Sequence, residues 1–190
     1  MAKDKIDNAS IAWPLERLTR LMRAGEHEGG LNPAQWEALR YLSRANRFSN
    51  SPIALTRFLG STKGTVSQTI KALERKGFIA KAPRENEGRS ISLSLMDKGS
   101  AALSHDPLTE FSKSLDDLSG KNRRRLAKGL ADLLETDLKR REQPSFGICA
   151  TCRYFREKGR EADDGGPHSC MYFDVALSGA EVELICIAHS

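Results

Sequence analysis

Between Ser51 and Leu95 the chain changes its hydrophobic period once, and the order of that change leaves few folds open. Ser51-Pro52 opens a short helical run through Ile53, Leu55, Phe58 and Leu59, which Gly60 stops. Ser61 or Thr62 then caps a second run to about Lys76, and Gly77 supplies its stop. Val66, Ile70 and Leu73 stand at i, i+4 and i+7 of that run, so one face is buried. After Gly77 the period drops from helical to two. Phe78 to Ala82 reads as a strand, and Ser90 to Leu95 alternates as Ser-Ile-Ser-Leu-Ser-Leu, a half-buried strand. The polar segment Arg84-Glu85-Asn86-Glu87-Gly88-Arg89 joins them as the charged tip of a hairpin. The predicted class is mainly α with one small β-hairpin, an α+β fold.

Helical stripes flank this unit. Ile11, Leu15, Leu18 and Met22 mark a helix over 10–24. Asn32-Pro33 starts the next, with Asn as cap and Pro in the first turn, continuing through Trp36, Leu39 and Leu42. Asp97 opens a helix that Pro107 interrupts and that resumes with Leu108, Phe111, Leu115 and Leu118. Over 121–142, Leu126, Leu130, Leu133, Leu134 and Leu138 make a broad apolar face. Gln143-Pro144-Ser145 ends that helix. Four segments are predicted: an N-terminal helix over 1–31, a helix-and-hairpin unit over 32–99, helices over 100–142, and a tail over 143–190.

The formal net charge of +5 is uneven. Residues 143–190 hold four Lys/Arg against seven Asp/Glu, a balance of −3, while the first 142 hold 26 against 18, a balance of +8. A basic body suits a polyanionic partner such as nucleic acid. No apolar run is long enough for a transmembrane helix, and the N-terminus lacks the apolar region of a signal peptide, so no membrane association and a cytoplasmic, reducing setting are expected. No Ser/His/Asp arrangement, phosphate-binding loop or metalloprotease motif is present, which argues against an enzyme.

Two short helices at a Gly-containing turn, then a hairpin, is the order of a winged helix-turn-helix. Opposite its buried face the second helix carries Gly64, Gln68, Lys71 and Arg75, flanked by Thr65 and Ser67. Small polar side chains near a helix N-terminus suit insertion into a DNA major groove. Gln68 can pair with an adenine edge, Thr65 and Ser67 can reach bases or phosphate, and Lys63 and Lys71 suit phosphate. Arg84 and Arg89, read at the tip of the hairpin, suit the negative potential of a narrow minor groove. A merely solvated helix face is the competing reading of the helix alone.

The stretch from Ala54 to Ile79, ALTRFLGSTKGTVSQTIKALERKGFI, resembles the core of MarR-family transcriptional regulators. Glu87-Gly88-Arg89-Ser90-Ile91-Ser92-Leu93-Ser94-Leu95-Met96-Asp97-Lys98-Gly99 is similar to the family's wing signature, with Glu87 where Asp is usual and Met96 where Thr is usual. Without a hydroxyl at 96, Asp97 is expected to take over as helix cap. The resemblance covers about residues 10–142. It implies a homodimer built by the N-terminal helix and the last two helices, a palindromic double-stranded DNA operator, and a small-molecule effector bound between the dimer helices and the winged helix.

All four cysteines lie in the last 42 residues: Cys149-x2-Cys152, Cys170 and Cys186, with His168 two residues before Cys170 and His189 three after Cys186. Spacers of 17 and 15 residues separate the cysteine groups and resemble those of zinc ribbons and treble clefs. A tail so poor in aliphatics could scarcely fold without help, and a structural ion supplies it. The expected cofactor is Zn2+ on Cys149, Cys152, Cys170 and Cys186, with His168 or His189 as substitutes. An iron–sulfur cluster on the same cysteines would make the tail a redox or iron sensor. A zinc-dependent enzyme is a further alternative and needs an open coordination position. The tail is expected to act as an acidic appendix that follows the leucine-faced helix and stiffens or reports on the dimer interface.

Overall fold

The computed structural model describes residues 6–84, 90–159 and 165–190, with the side chains of 27–29 outside that description. Seven helices and five strands appear among the described residues: α1 (Ala9–Ala24), α2 (Pro33–Arg44), α3 (Pro52–Phe58), α4 (Lys63–Arg75), β1 (Ile79–Pro83), β2 (Ile91–Leu95), α5 (Asp97–Leu103), α6 (Pro107–Lys113), α7 (Gly120–Arg140), β3 (Phe155–Arg156), β4 (His168–Cys170) and β5 (Val175–Leu177). The local chemistry matches the starts. Asn32 and Gln35 form a reciprocal capping box on α2, Ser51 caps α3 through Ala54 N–H, and Thr62 caps α4 through Thr65 N–H. Gly77, at φ +76°, ends α4 in the left-handed conformation and turns the chain into β1. Asp97, expected as a cap, is instead the first residue of α5, whose start has no side-chain cap; its carboxylate acts only on the helix dipole.

β1 and β2 form the antiparallel hairpin, in register from Ile79 opposite Leu95 to Pro83 opposite Ile91. Its inner face and α2 to α4 enclose the core: Trp36, Leu39, Tyr41, Leu55, Val66, Ile70, Leu73, Ile79 and Leu93 are almost completely buried. α1 and α7 contribute no buried residue. Leu126, Leu130, Leu133 and Leu134 on α7, and Ile11, Trp13, Leu18 and Leu21 on α1, remain exposed. The broad leucine face thus packs against nothing in its own chain.

The tail departs most from the sequence reading. It is not an appendix to α7, because it turns back onto the winged unit. Phe146 and Ile185 belong to the same buried cluster as Trp36 and Leu55. Phe146 meets the rings of Tyr41 and Phe58 edge-on at 5.8 and 5.2 Å. It holds φ +50°, a conformation uncommon for a bulky residue and tolerated where packing over-determines it. β3, β4 and β5 make a small antiparallel sheet that covers its own cluster of Cys149, Leu177 and Val182.

An ion-pair network absent from the sequence reading ties the flanking helices to the core. The Arg40 guanidinium grips both carboxylate oxygens of Asp106 (2.7 and 2.5 Å) and one of Glu26 (2.6 Å). Glu26 is 3% exposed, and its carbonyl accepts Trp36 Nε1–H at 3.0 Å. Burial alone would raise the Asp106 pKa, but the bonds from Arg40 and from Leu108 N–H hold it below the ordinary carboxylate value of 3.8. A depressed folded-state pKa stabilises the fold above the unfolded value and is lost as pH falls through the folded one. Arg40→Leu strands two buried carboxylates and should cost roughly 3 kcal/mol in urea unfolding at neutral pH. Asp106→Asn should also lower the urea midpoint at neutral pH. Its gap to the parent protein should close as pH drops below about 3.8, and a gap that persists in acid contradicts the pairing.

Candidate nucleic-acid interface

α4 presents two opposite faces. Val66, Thr69, Ile70 and Leu73 are buried; Lys63, Gly64, Thr65, Ser67, Gln68, Lys71 and Arg75 are exposed on the other side. The exposed group begins at the N-terminus, where Thr62 Oγ1 accepts Thr65 N–H at 3.2 Å and shares a 2.9 Å hydroxyl bond with Thr65. Thr65 therefore has part of its hydrogen-bonding capacity engaged at home, while Ser67 and Gln68 face outward. A groove of about 250 Å3 separates α4 from α3 and the hairpin, lined by Pro52, Ile53, Lys63, Ser67, Lys71 and Lys81 among others. Lys81 escaped the sequence reading; it stands on β1 and pairs with Glu74 on α4 at 2.6 Å. Strand alternation alone could have found it, since Ile79 is the buried partner in that register.

The hairpin arginines separate. Arg84 is not at the tip. It stands at the end of β1, its N–H bonded to Ser90 O at 3.0 Å, half-buried, with Nη2 donating to Asn50 Oδ1. Its guanidinium is folded back onto the α2–α3 loop instead of projecting toward a minor groove. Arg89, the other arginine read there, lies outside the described residues.

Asn50 also accepts Leu93 N–H through its carbonyl at 2.7 Å. The loop over 45–51 thus holds the hairpin, and the tail holds the loop. Ile185 N–H donates to Arg44 O (2.8 Å) and Asn46 N–H to Ile185 O (3.1 Å). Ser49, fully buried, donates to Asn46 Oδ1 and accepts Ile187 N–H, both at 2.8 Å. Tyr41 Oη donates to Ser49 O at 2.5 Å. Arg47 reaches Ala176 O and Glu181, each at 2.7 Å, and Phe48 stacks on Phe173 with ring centres 4.1 Å apart.

Cys149, Cys152, Cys170 and Cys186, none in a disulfide, line one small cavity. Burial pushes the Cys149 thiol up to about 11, reinforced by Cys186, Cys170 and Cys152. The histidines are not part of the lining. His189 is engaged at both ring nitrogens, with Ser145 Oγ at 2.8 Å and Thr151 Oγ1 at 2.9 Å. Its ring lies on Gly147, where a Cβ would stand 2.5 Å from Nε2. His168 packs beside Phe155, and its Nδ1 accepts Lys158 N–H at 3.4 Å.

Residues 29–90 match the model of the MarR family. The HTH-type transcriptional repressor YetL of Bacillus subtilis is 28% identical over 109 residues, 56% of this chain and 65% of the repressor, so the match spans just under two thirds of that relative. A MarR transcriptional regulator from Methanosarcina mazei Go1 superposes with a TM-score of 0.60 at 22% identity, over 70% of this chain and 99% of that one. Streptococcus pneumoniae FabT in complex with DNA superposes at 0.56 with 21% identity, over 68% and 96%. These likenesses show a mainly helical winged-helix fold with a small hairpin wing.

Removing the Ser49 hydroxyl tests the loop clasp. Ser49→Ala leaves Ile187 N–H and Asn46 Oδ1 short of a partner. It should cost about 1–3 kcal/mol in chemical unfolding and speed alkylation of the tail thiols. Unchanged stability and alkylation would contradict the clasp.

Proposed function

With a MarR-family winged helix over residues 29–90 as premise, we propose that this chain is a DNA-binding transcriptional regulator that acts as a homodimer on a palindromic operator. One observation carries the reading. α4 is anchored through Val66, Ile70 and Leu73, and offers a continuous outward face of Lys63, Thr65, Ser67, Gln68 and Lys71 from its capped N-terminus onward. A helix so presented enters a major groove with its N-terminal residues nearest the bases. Gln68 reads an adenine edge, Ser67 and Thr65 reach bases or phosphate, and Lys63 and Lys71 bind phosphate. Arg89 reads the adjacent minor groove from the wing. Arg84 supports the wing from its root through Asn50.

The dimer follows from the unpartnered apolar faces. Leu126, Leu130, Leu133 and Leu134 on α7 and Ile11, Leu18 and Leu21 on α1 are too many large exposed hydrophobics for two helices facing water alone. A second copy covers them and sets the spacing of the two α4 helices. A cleft of about 500 Å3 lined by Arg40, Tyr41, Phe58, Leu103 and Ile185 lies between α2 and the α5–α6 segment. A small effector bound there would shift that segment against the winged unit. The family is one of regulators, not enzymes, and no helix among the described residues is long and apolar enough to cross a membrane.

An operator selected from random duplexes tests the reading. Gln68→Ala should lower specific affinity by about 1–3 kcal/mol and relax preference at one base pair. Lys71→Ala should weaken binding to all sequences and reduce the salt slope by about one. Leu130→Glu with Leu134→Glu should yield monomers in sedimentation. Binding unchanged in both α4 variants would overturn the placement of α4.

A further inference from the structure

Three separate backbone segments deliver the four cysteines. Cys149 and Cys152 bracket a tight turn, closed by Cys152 N–H on Cys149 O at 2.9 Å. Cys186 begins a second turn, closed by His189 N–H on its own carbonyl at 3.3 Å. Cys170 ends β4, paired with Phe155 on one side and Val175 on the other. Their side chains meet at one cavity of about 20 Å3. The rest of its wall is aromatic or aliphatic and includes Tyr154, Phe155, Phe173 and Leu177.

Thiols are weak hydrogen-bonding groups, so such a wall gives them no polar partner that would account for their meeting. Two turn-borne cysteine groups plus a strand cysteine are instead the donor set of a structural zinc site. The volume decides between ions and clusters. It holds about one water-sized body, which suits a single ion and not the multi-atom cage of an iron–sulfur cluster. Among the described residues no three His, Cys, Asp or Glu donors already stand grouped as metal ligands. An ion would therefore draw the half-buried Cys152 and Cys170 inward onto the buried Cys149 and Cys186.

We propose that Cys149, Cys152, Cys170 and Cys186 together bind one zinc ion, and that the resulting knot clamps the 45–51 loop to the winged helix. The tail needs such an ion. Its own fully buried cluster is Cys149, Leu177 and Val182, too little to order a segment of this size. The knot is also joined to the loop directly. Phe173 of the cavity wall stacks on Phe48, and Ile187, the residue after Cys186, donates its N–H to Ser49. On binding, each cysteine sulfur loses its proton to solvent and forms a bond to zinc. Four thiolates on Zn2+ leave a net charge of −2 and a closed coordination sphere with no position for substrate. His168 and His189 take no part. The proposal does not rest on the DNA-binding reading, and its test uses no DNA.

The full-length protein, purified under reducing conditions, is assayed for metal and acid-labile sulfide. Its thiols are titrated, and its unfolding is followed by Trp36 fluorescence in a Trp13→Phe background. The expected result is one zinc per chain, no sulfide, no visible absorption, and four thiols protected from alkylation. Zinc removal by a chelator should expose all four thiols and lower the Trp36-reported melting temperature by at least several degrees. Cys152→Ser and Cys170→Ser should each release most of the zinc. His168→Ala and His189→Ala should keep it, so loss through misfolding is distinguished from loss of a ligand. Absence of zinc, iron with sulfide, zinc retained in both cysteine variants, or a melting temperature unmoved by zinc removal would each overturn the proposal.

Discussion

The backbone of Ile185 is the joint on which this molecule depends. Its N–H donates to Arg44 O and its carbonyl accepts Asn46 N–H, so one tail residue is stitched into the end of α2 and the start of the loop to α3. Its side chain is 4% exposed in the same core as Trp36 and Leu55. Those two bonds bring the last residues of the chain against a loop that governs two other elements. Through Ser51, the loop caps α3, the first helix of the helix-turn-helix. Through Asn50, it holds β2 by Leu93 N–H and the wing root by Arg84. Order in the tail is therefore felt at the helix and the hairpin that flank α4.

Buried polar groups in this joint raise its energetic weight. Ser49 and Asn46 are 0% and 2% exposed, and each finds its partners only while the tail is docked. A buried hydroxyl or amide left unpartnered costs more than its bond contributes when made. Disruption is thus penalised twice, once in lost packing of Phe146 and Ile185 and again in stranded polar atoms. The Arg40 network plays the same part at the opposite end of α2, binding Asp106 at the start of α6 and Glu26 between α1 and α2. α2 is pinned at one end to the flanking helices and at the other to the tail.

The winged unit was legible in the sequence because its signals are local. Asn32, Ser51 and Thr62 cap where they should, Gly77 stops α4, and the alternation of Ser90 to Leu95 gives β2 within one residue. The two faces of α4 followed from period alone. The width of the α7 leucine face was also visible, since five leucines in one helix exceed what a single buried side requires. The docked tail was not legible. Ile185 meets Ala45 across 140 intervening positions of chain, and no periodicity carries information over that distance. Arg84 was misplaced for a similar reason: its partner, Asn50, lies 34 residues away. Arg40, Glu26 and Asp106 read as ordinary surface charges until the fold brings them together. The cysteine spacing showed that the four belong together, but not that their setting is the underside of the α2–α3 loop.

The central claim is that the tail and the winged helix form one cooperative unit. All four cysteines lie in the tail, and with Trp13 replaced by Phe the one remaining tryptophan, Trp36, lies in the winged-helix core. A urea titration of that full-length protein, read in parallel by Trp36 fluorescence and by pulsed alkylation of the cysteines, observes each part separately. The account predicts coincident midpoints for the two signals. Cysteines that react completely at urea concentrations where Trp36 is still native would contradict it.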